Sequence, residues 1–151
     1  MSRGPSAAAA ELGVLADPSA LPRLDEVSAP YFEAAARGEL VFQRCEQGHA
    51  FLYPRVVCPT CHSRSLSWET SAGTGEIVTF APIHRPPWDD LPRPSPYVVV
   101  LVVLDEGPQL LSTLERIAPD EVRIGMRVQA VFERLDARRG LVRFVPSEDG
   151  R

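Results

Sequence analysis

Apolar and polar positions along this chain fall into two regimes that meet near Gly73. Beyond it, apolar residues come in short runs separated by turn-forming residues. Residues 75–84 carry Ile77, Val78, Phe80 and Ile83. Tyr97–Leu104 is a nearly continuous apolar run, the pattern of a central strand buried on both faces. Asp105-Glu106-Gly107 predicts a hairpin turn, and 109–114 the returning strand. A short helical turn is expected over 119–122. Gly125 opens another pair, 128–135 and 141–145, joined through 136–140. Residues 85–96 hold five prolines, too rigid and too poor in N–H donors for a sheet interior. Five or six strands with a glycine-rich entry fit a small closed barrel of the OB type over 71–147. A small β-sandwich gives the same periodicity.

Upstream the pattern is mixed. Ser28-Ala29-Pro30-Tyr31-Phe32-Glu33 reads as a helix start, with Ser28 as N-cap, Pro30 in the first turn and Glu33 near the positive end of the dipole. Gly38 ends it. Strands are expected over 39–42, over 51–57 with a break at Pro54, and over 65–69, where Leu66 and Trp68 alternate with polar residues. Helix and strands make a small module over 28–70. Residues 1–27, rich in Ala, Pro and Ser, read as a flexible arm with a short helical turn over 7–15, and 148–151 as a tail.

A chain of 151 residues suits one ordinary domain or a small module joined to a larger one. With 44% hydrophobic residues, most of it can form a packed core. The net charge of −4, with no basic run, lacks the electrostatic footprint of a general nucleic-acid binder. The longest apolar stretch, Tyr97–Leu104, is far too short to span a membrane, and the N-terminus lacks the basic start and apolar segment of a secretory signal. Three clustered cysteines do not form a disulfide framework, so a reducing cytoplasm is the expected setting.

Those cysteines carry the clearest chemistry. Cys45-x3-His49 is followed by Cys58-Pro59-Thr60-Cys61, which contains the remaining cysteines. Two close pairs of soft or borderline ligands are what a tetrahedral Zn²⁺ takes from the turns of a ribbon. Three readings stand: a Cys3His zinc site of Cys45, His49, Cys58 and Cys61; a metal-free ribbon held by Phe51, Tyr53, Leu66 and Trp68; and a redox pair at Cys58 and Cys61. The last needs a helix N-terminus to lower a thiol pKa, whereas Pro59 and His62-Ser63-Arg64-Ser65 read as a knuckle.

His84-Arg85-Pro86-Pro87-Trp88-Asp89-Asp90 gathers a His, a guanidinium and two carboxylates, with no Ser or Cys nucleophile motif beside them. For catalysis a solvated stiff loop is the better account. For binding, Arg85 suits a phosphate group and Trp88 can stack on a nucleotide base or a partner surface. Arg123, Arg127, Arg134, Arg138, Arg139 and Arg143 raise a different class, a single-stranded nucleic-acid binder on the OB fold. That chemistry wants interleaved aromatics, and the last strands offer only Phe132 and Phe144.

The order of elements resembles the unknown-function-35 family, OB-fold acyl-CoA-associated proteins. The phrases that carry it are Leu40-Val41-Phe42-Gln43-Arg44-Cys45; Pro54-Arg55-Val56-Val57-Cys58-Pro59-Thr60-Cys61; Gly73-Thr74-Gly75-Glu76-Ile77-Val78-Thr79-Phe80; His84-Arg85-Pro86-Pro87; the strand ending in Asp105-Glu106-Gly107; and Val122-Arg123-Ile124-Gly125-Met126-Arg127-Val128. The resemblance implies an N-terminal helix, a rubredoxin-like zinc ribbon and a C-terminal OB barrel. It also implies a subunit without a catalytic centre of its own, which accompanies a thiolase-like enzyme, side-chain aldolase or hydratase and binds or channels acyl-CoA. The chain departs from the family at the metal. Cys45-Glu46-Gln47 runs straight into Gly48-His49-Ala50-Phe51, without the second cysteine of the usual C-x2-C-G knuckle. Exposed apolar surface for a partner is expected on the Tyr31-Phe32 helix or on the ribbon.

Overall fold

The structure, a computed structural model, describes residues 21–86 and 95–148. The helical turn expected over 7–15, residue Trp88 and most of the terminal tail lie outside them. Helix α1 spans Ala29–Ala36, with Pro30 in its first turn and Gly38 at φ +82° just beyond its end. Ser28 is not its cap. That residue is already helical (φ −89°, ψ −26°), and Asp25 does the capping. Asp25 Oδ1 accepts from the N–H groups of Val27 (3.0 Å) and Ser28 (2.7 Å), while the Ser28 hydroxyl accepts from Asp25 N–H (3.2 Å). The reciprocal pair starts the helical turn three residues early. The N–H of Ser28, then its hydroxyl, hold the Asp25 carboxyl below its usual range.

Three strands follow: β1 (Val41–Cys45), β2 (Ala50–Phe51) and β3 (Leu66–Thr70), in the order β2-β1-β3. Both pairings are antiparallel, with Gln43 opposite Phe51 on one side and Trp68 on the other. The strand expected over 51–57 ends at Phe51. Beyond it the Gln43 amide takes the place of a ladder, donating to the Arg55 carbonyl (3.1 Å) and accepting the Arg55 N–H (2.7 Å). This pairs a segment that Pro54 cannot, and explains why Gln43 is buried.

The remaining strands, β4 (Thr74–Ile83), β5 (Tyr97–Leu104), β6 (Gln109–Leu114), β7 (Arg127–Arg134) and β8 (Gly140–Pro146), close into a barrel in the order β4-β5-β6-β8-β7. A short 3₁₀ helix, Pro119–Glu121, links β6 to β7. The closure rules out the sandwich alternative. It depends on the parallel contact of Leu114 with Phe144 and on β4 turning from β5 onto β7 through a register shift between Ile77 and Thr79. Strand β5 is apolar on both faces but alternates cleanly, with Val98, Val100, Val102 and Leu104 buried inward.

These residues, with Ile77, Val128, Val142 and Phe144, form one continuous core with Tyr31, Ala34 and Ala35 of the helix. Helix α1 thus packs on the barrel, against β7 and β8. Tyr31 is buried and Phe32 packs on the same core, so the helix does not offer the exposed apolar surface expected of it. The exposed large apolar residues of this half are Tyr53 and Val56, on the ribbon.

Two carboxylates of the β5–β6 turn tie elements together: Glu106 holds the ribbon's linker to the barrel, and Asp105 joins β4 and β7 within it. Glu106 accepts from Ser71 Oγ (2.9 Å) and Ala72 N–H (2.8 Å) in the linker. Asp105 accepts from Thr74 Oγ1 (2.5 Å) and from two Arg127 nitrogens at 2.7 Å each. The bonds from Arg127, then Thr74, bring the Asp105 carboxyl down to about 2. A depressed carboxylate stabilises the fold above the unfolded value, about 3.9, and loses that contribution as pH falls toward 2. Because the pair is half exposed, Asp105→Asn should cost no more than about 1 kcal/mol at pH 7. The difference in Tm between the variant and the parent should shrink as pH falls from about 4 to 2; thermal unfolding at several pH values checks it.

Candidate metal centre

The two turns of the ribbon bring Cys45, His49, Cys58 and Cys61 together, their ligand atoms all within 4.8 Å of one another. In the first turn Gly48, at φ +89°, donates its N–H to the Cys45 carbonyl (2.9 Å), and Cys45 N–H donates to His49 O (3.0 Å). In the second, Cys58 N–H donates to Ser63 O and His62 N–H to Cys58 O, both at 2.9 Å, with His62 at φ +60°. The Ser63 hydroxyl ties the turns together through Glu46 (2.7 Å), whose N–H reaches Ser65 O (3.1 Å).

The spacing suits a tetrahedral ion. Zinc–sulfur bonds of about 2.3 Å set two thiolates about 3.8 Å apart. Cys45 and Cys61 Sγ are 3.7 Å apart, and His49 Nδ1 lies 3.3 Å from Cys45 Sγ and 3.8 Å from Cys58 Sγ. The donors face one another through Nδ1, and among the described residues no fifth candidate ligand joins the group. Burial pushes the Cys58 thiol up. The N–H groups of Cys61 and Thr60, with bonds from the Cys61 and Cys45 thiols, outweigh it and bring Cys58 to about 6. The Ser63 N–H pulls Cys61 down, but burial and the neighbouring Cys58 and Cys45 leave it raised. Sulfur groups that compete for protons at this range are what a divalent cation relieves. When bound, such an ion would cross-link the two turns.

The apolar residues offered for a metal-free ribbon do not gather. Phe51 and Leu66 pack with the cysteines. Trp68 packs on the main core, and Tyr53 is 47% exposed, its hydroxyl accepting the Leu111 N–H of the barrel (3.0 Å). Nor does a helix follow Cys58 and Cys61, as a redox pair would need; Thr60 N–H reaches Cys58 Sγ within the turn, at 3.4 Å.

Of the other candidates, Arg85 is exposed, with no partner among the described residues, and Trp88 lies outside them. The His84 imidazole likewise has no partner among the described residues; its carbonyl accepts from Ser95 Oγ (2.7 Å). The six arginines of the last strands are engaged within the fold: Arg127 with Asp105, Arg138 with Glu33, Arg139 with Asp136 and the Pro22 carbonyl, Arg143 with Glu133, and Arg123 and Arg134 with backbone carbonyls. Phe144 is fully buried and Phe132 packs on the core. The interleaved face that a single strand needs is therefore not assembled there.

Sequence reasoning missed Gln43, Arg44 and the Glu46–Ser63 tie. The signal for the first two was present: polar residues immediately before a ligand, on a strand whose neighbours are apolar.

Comparison with known proteins matches the same two modules. Residues 32–67 match the family described as the ChsH2 rubredoxin-like zinc ribbon domain, and residues 68–133 the ChsH2 C-terminal OB-fold domain. A probable enoyl-CoA hydratase alpha subunit of Thermomonospora curvata is 40% identical over 110 residues, 71% of this chain; the match spans one third (33%) of that subunit's length. A DUF35 domain-containing scaffold protein of Pyrococcus furiosus is 33% identical over 96 residues, 64% of this chain and 70% of its own. The solved structure of an Ltp2-ChsH2(DUF35) aldolase contains a chain that superposes with a TM-score of 0.73 at 36% identity, covering 83% of this chain and 98% of that one. The protein belongs to the DUF35 family, with a ChsH2-type zinc ribbon and OB-fold barrel.

Proposed function

We propose that the chain is an accessory subunit without a catalytic centre of its own. It binds and stabilises a thiolase-superfamily enzyme (thiolase or side-chain aldolase), or a related hydratase, and helps bind or channel that enzyme's acyl-CoA. The observation that carries this reading is the match to nearly the whole of a chain that occurs within an aldolase, together with a relative named as a hydratase subunit. In the same reading Cys45, His49, Cys58 and Cys61 hold zinc, which supplies a structural cross-link. Arg85 meets a CoA phosphate, its guanidinium being without a partner among the described residues, and Trp88 stacks beside it. The pairing of the arginines with carboxylates and carbonyls of the fold argues against the rival, single-stranded nucleic-acid binding.

The test is co-expression with a thiolase-, aldolase- or hydratase-type subunit from the same genome, followed by gel filtration and an assay. The two should co-elute through an interface above roughly 1,000 Å², and the partner should lose solubility or turnover without this chain. A partner equally soluble and active alone, never co-eluting, overturns the reading. A salt-sensitive shift of single-stranded nucleic acid by the same preparation would instead favour the rival.

A further inference from the structure

A site with three thiolates needs its fourth ligand held firmly, and that ligand, half-buried, follows an exposed turn of the ribbon. His49 follows Gly48, whose positive φ and open surroundings leave the turn little packing of its own; a Cβ at Gly48 would meet nothing within 4 Å. One side chain reaches across this turn. Arg44, adjacent to Cys45 on β1, donates from Nη1 to the Gly48 carbonyl (2.9 Å) and from Nε to Glu69 of β3 (2.9 Å), with its guanidinium 5.4 Å from the Phe42 ring centroid. The carbonyl it grips belongs to the peptide that leads into His49. A planar fork fixed at two ends can set the angle of that peptide, as a lysine point charge cannot.

We infer that Arg44 is a positioning residue for the metal: it locks the Gly48–His49 peptide so that Nδ1 faces the three sulfur atoms, where the family's usual knuckle places a cysteine. The inference rests on the reading that Cys45, His49, Cys58 and Cys61 hold the ion. Groups that orient ligands from behind typically change metal affinity about 10- to 100-fold when removed.

The experiment is a competition titration of the full chain with Co(II), read by its thiolate charge-transfer and visible bands, across a cycle of parent, Arg44→Gln, His49→Ala and the double variant. Arg44→Gln should weaken binding about tenfold or more and move the visible bands toward those of His49→Ala. In the His49→Ala background it should change affinity by less than about twofold, because the group it positions is gone. An equal loss in both backgrounds means that Arg44 supports the ribbon generally, and overturns the inference, as does unchanged binding by Arg44→Gln. A parent that takes up no Co(II) overturns the metal reading along with it. If Arg44→Gln does not fold, Arg44→Lys, which keeps charge and stem but not the fork, carries the same cycle to the same two outcomes.

Discussion

Cys58→Ser is expected to empty the metal centre and unfold the ribbon while the barrel stays folded. The reason is how little else holds the two metal-bearing turns, since Val41, Leu52 and Trp68 of the ribbon pack on the main core instead. The core of the turns is Cys45, Phe51 and Cys58, with Cys61 and Leu66 partly buried against them. Three of those five residues are candidate ligands. The two that remain supply about 2–3 kcal/mol each at most, against roughly 1–2 kcal/mol of backbone entropy for every residue ordered in the two turns. Structural zinc would close that gap, since its binding free energy in small ribbon-like sites is folding free energy, on the order of 10 kcal/mol. Cys58 is fully buried, so its loss cannot be made good by water. Elemental analysis of protein purified without chelator should give about one zinc per parent chain and almost none for the variant, and amide exchange should quicken in β1, β2 and the second turn. A parent with no zinc and a Tm unmoved by EDTA would sink the prediction and return the ribbon to its apolar contacts.

The barrel was legible because its signals are local and redundant: β5 is apolar along its whole length, the turn at Asp105-Glu106-Gly107 is short, and the proline run marks where the sheet stops. The ribbon was legible in the four residues that its turns bring together and less so in its strands. Pairing past Phe51 depends on the Gln43 amide, a contact over twelve positions that no periodicity reports. The N-cap was misplaced by three residues, since Ser28 and Asp25 bond to each other and either reads as a cap. The arginines of β7, β8 and the turn between them look like an exposed basic face in sequence. Their partners, Asp105, Glu33 and the Pro22 carbonyl, come from distant elements that only the closed fold brings near. Tyr53 shows the same limit: its alternation marks a core residue of the ribbon, but its hydroxyl bridges to β6.

Helix α1 should come off the barrel when Gly140 gains a single methyl group. A Cβ at Gly140 would stand 2.4 Å from both the Ala35 carbonyl carbon and the Ala36 nitrogen, and 2.6 Å from Ala35 O. All three are backbone atoms, so no rotamer change relieves the clash; helix or strand must move. Arg138 ties the same hairpin to Glu33 at 2.6 Å, but an ion pair this exposed supplies about 1 kcal/mol or less and cannot hold the helix against the overlap. Overpacking a tight core costs up to about 3 kcal/mol, and more where the backbone itself is struck. At this chain length, about 3 kcal/mol corresponds to a fall in Tm of roughly 6–12 °C. The helix carries its own reporter. Burial, and secondarily the proximity of Tyr53, raises the Tyr31 phenol well above its ordinary 10.0. With α1 displaced, Tyr31 reaches water and its ionisation should move back toward that value. Alkaline titration followed by phenolate absorbance, with a Tyr31→Phe control to identify the transition, reads this directly. A Gly140→Ala variant with unchanged Tm and a Tyr31 that still resists ionisation would mean that α1 can shift by the missing ångström without losing its seat on β7 and β8.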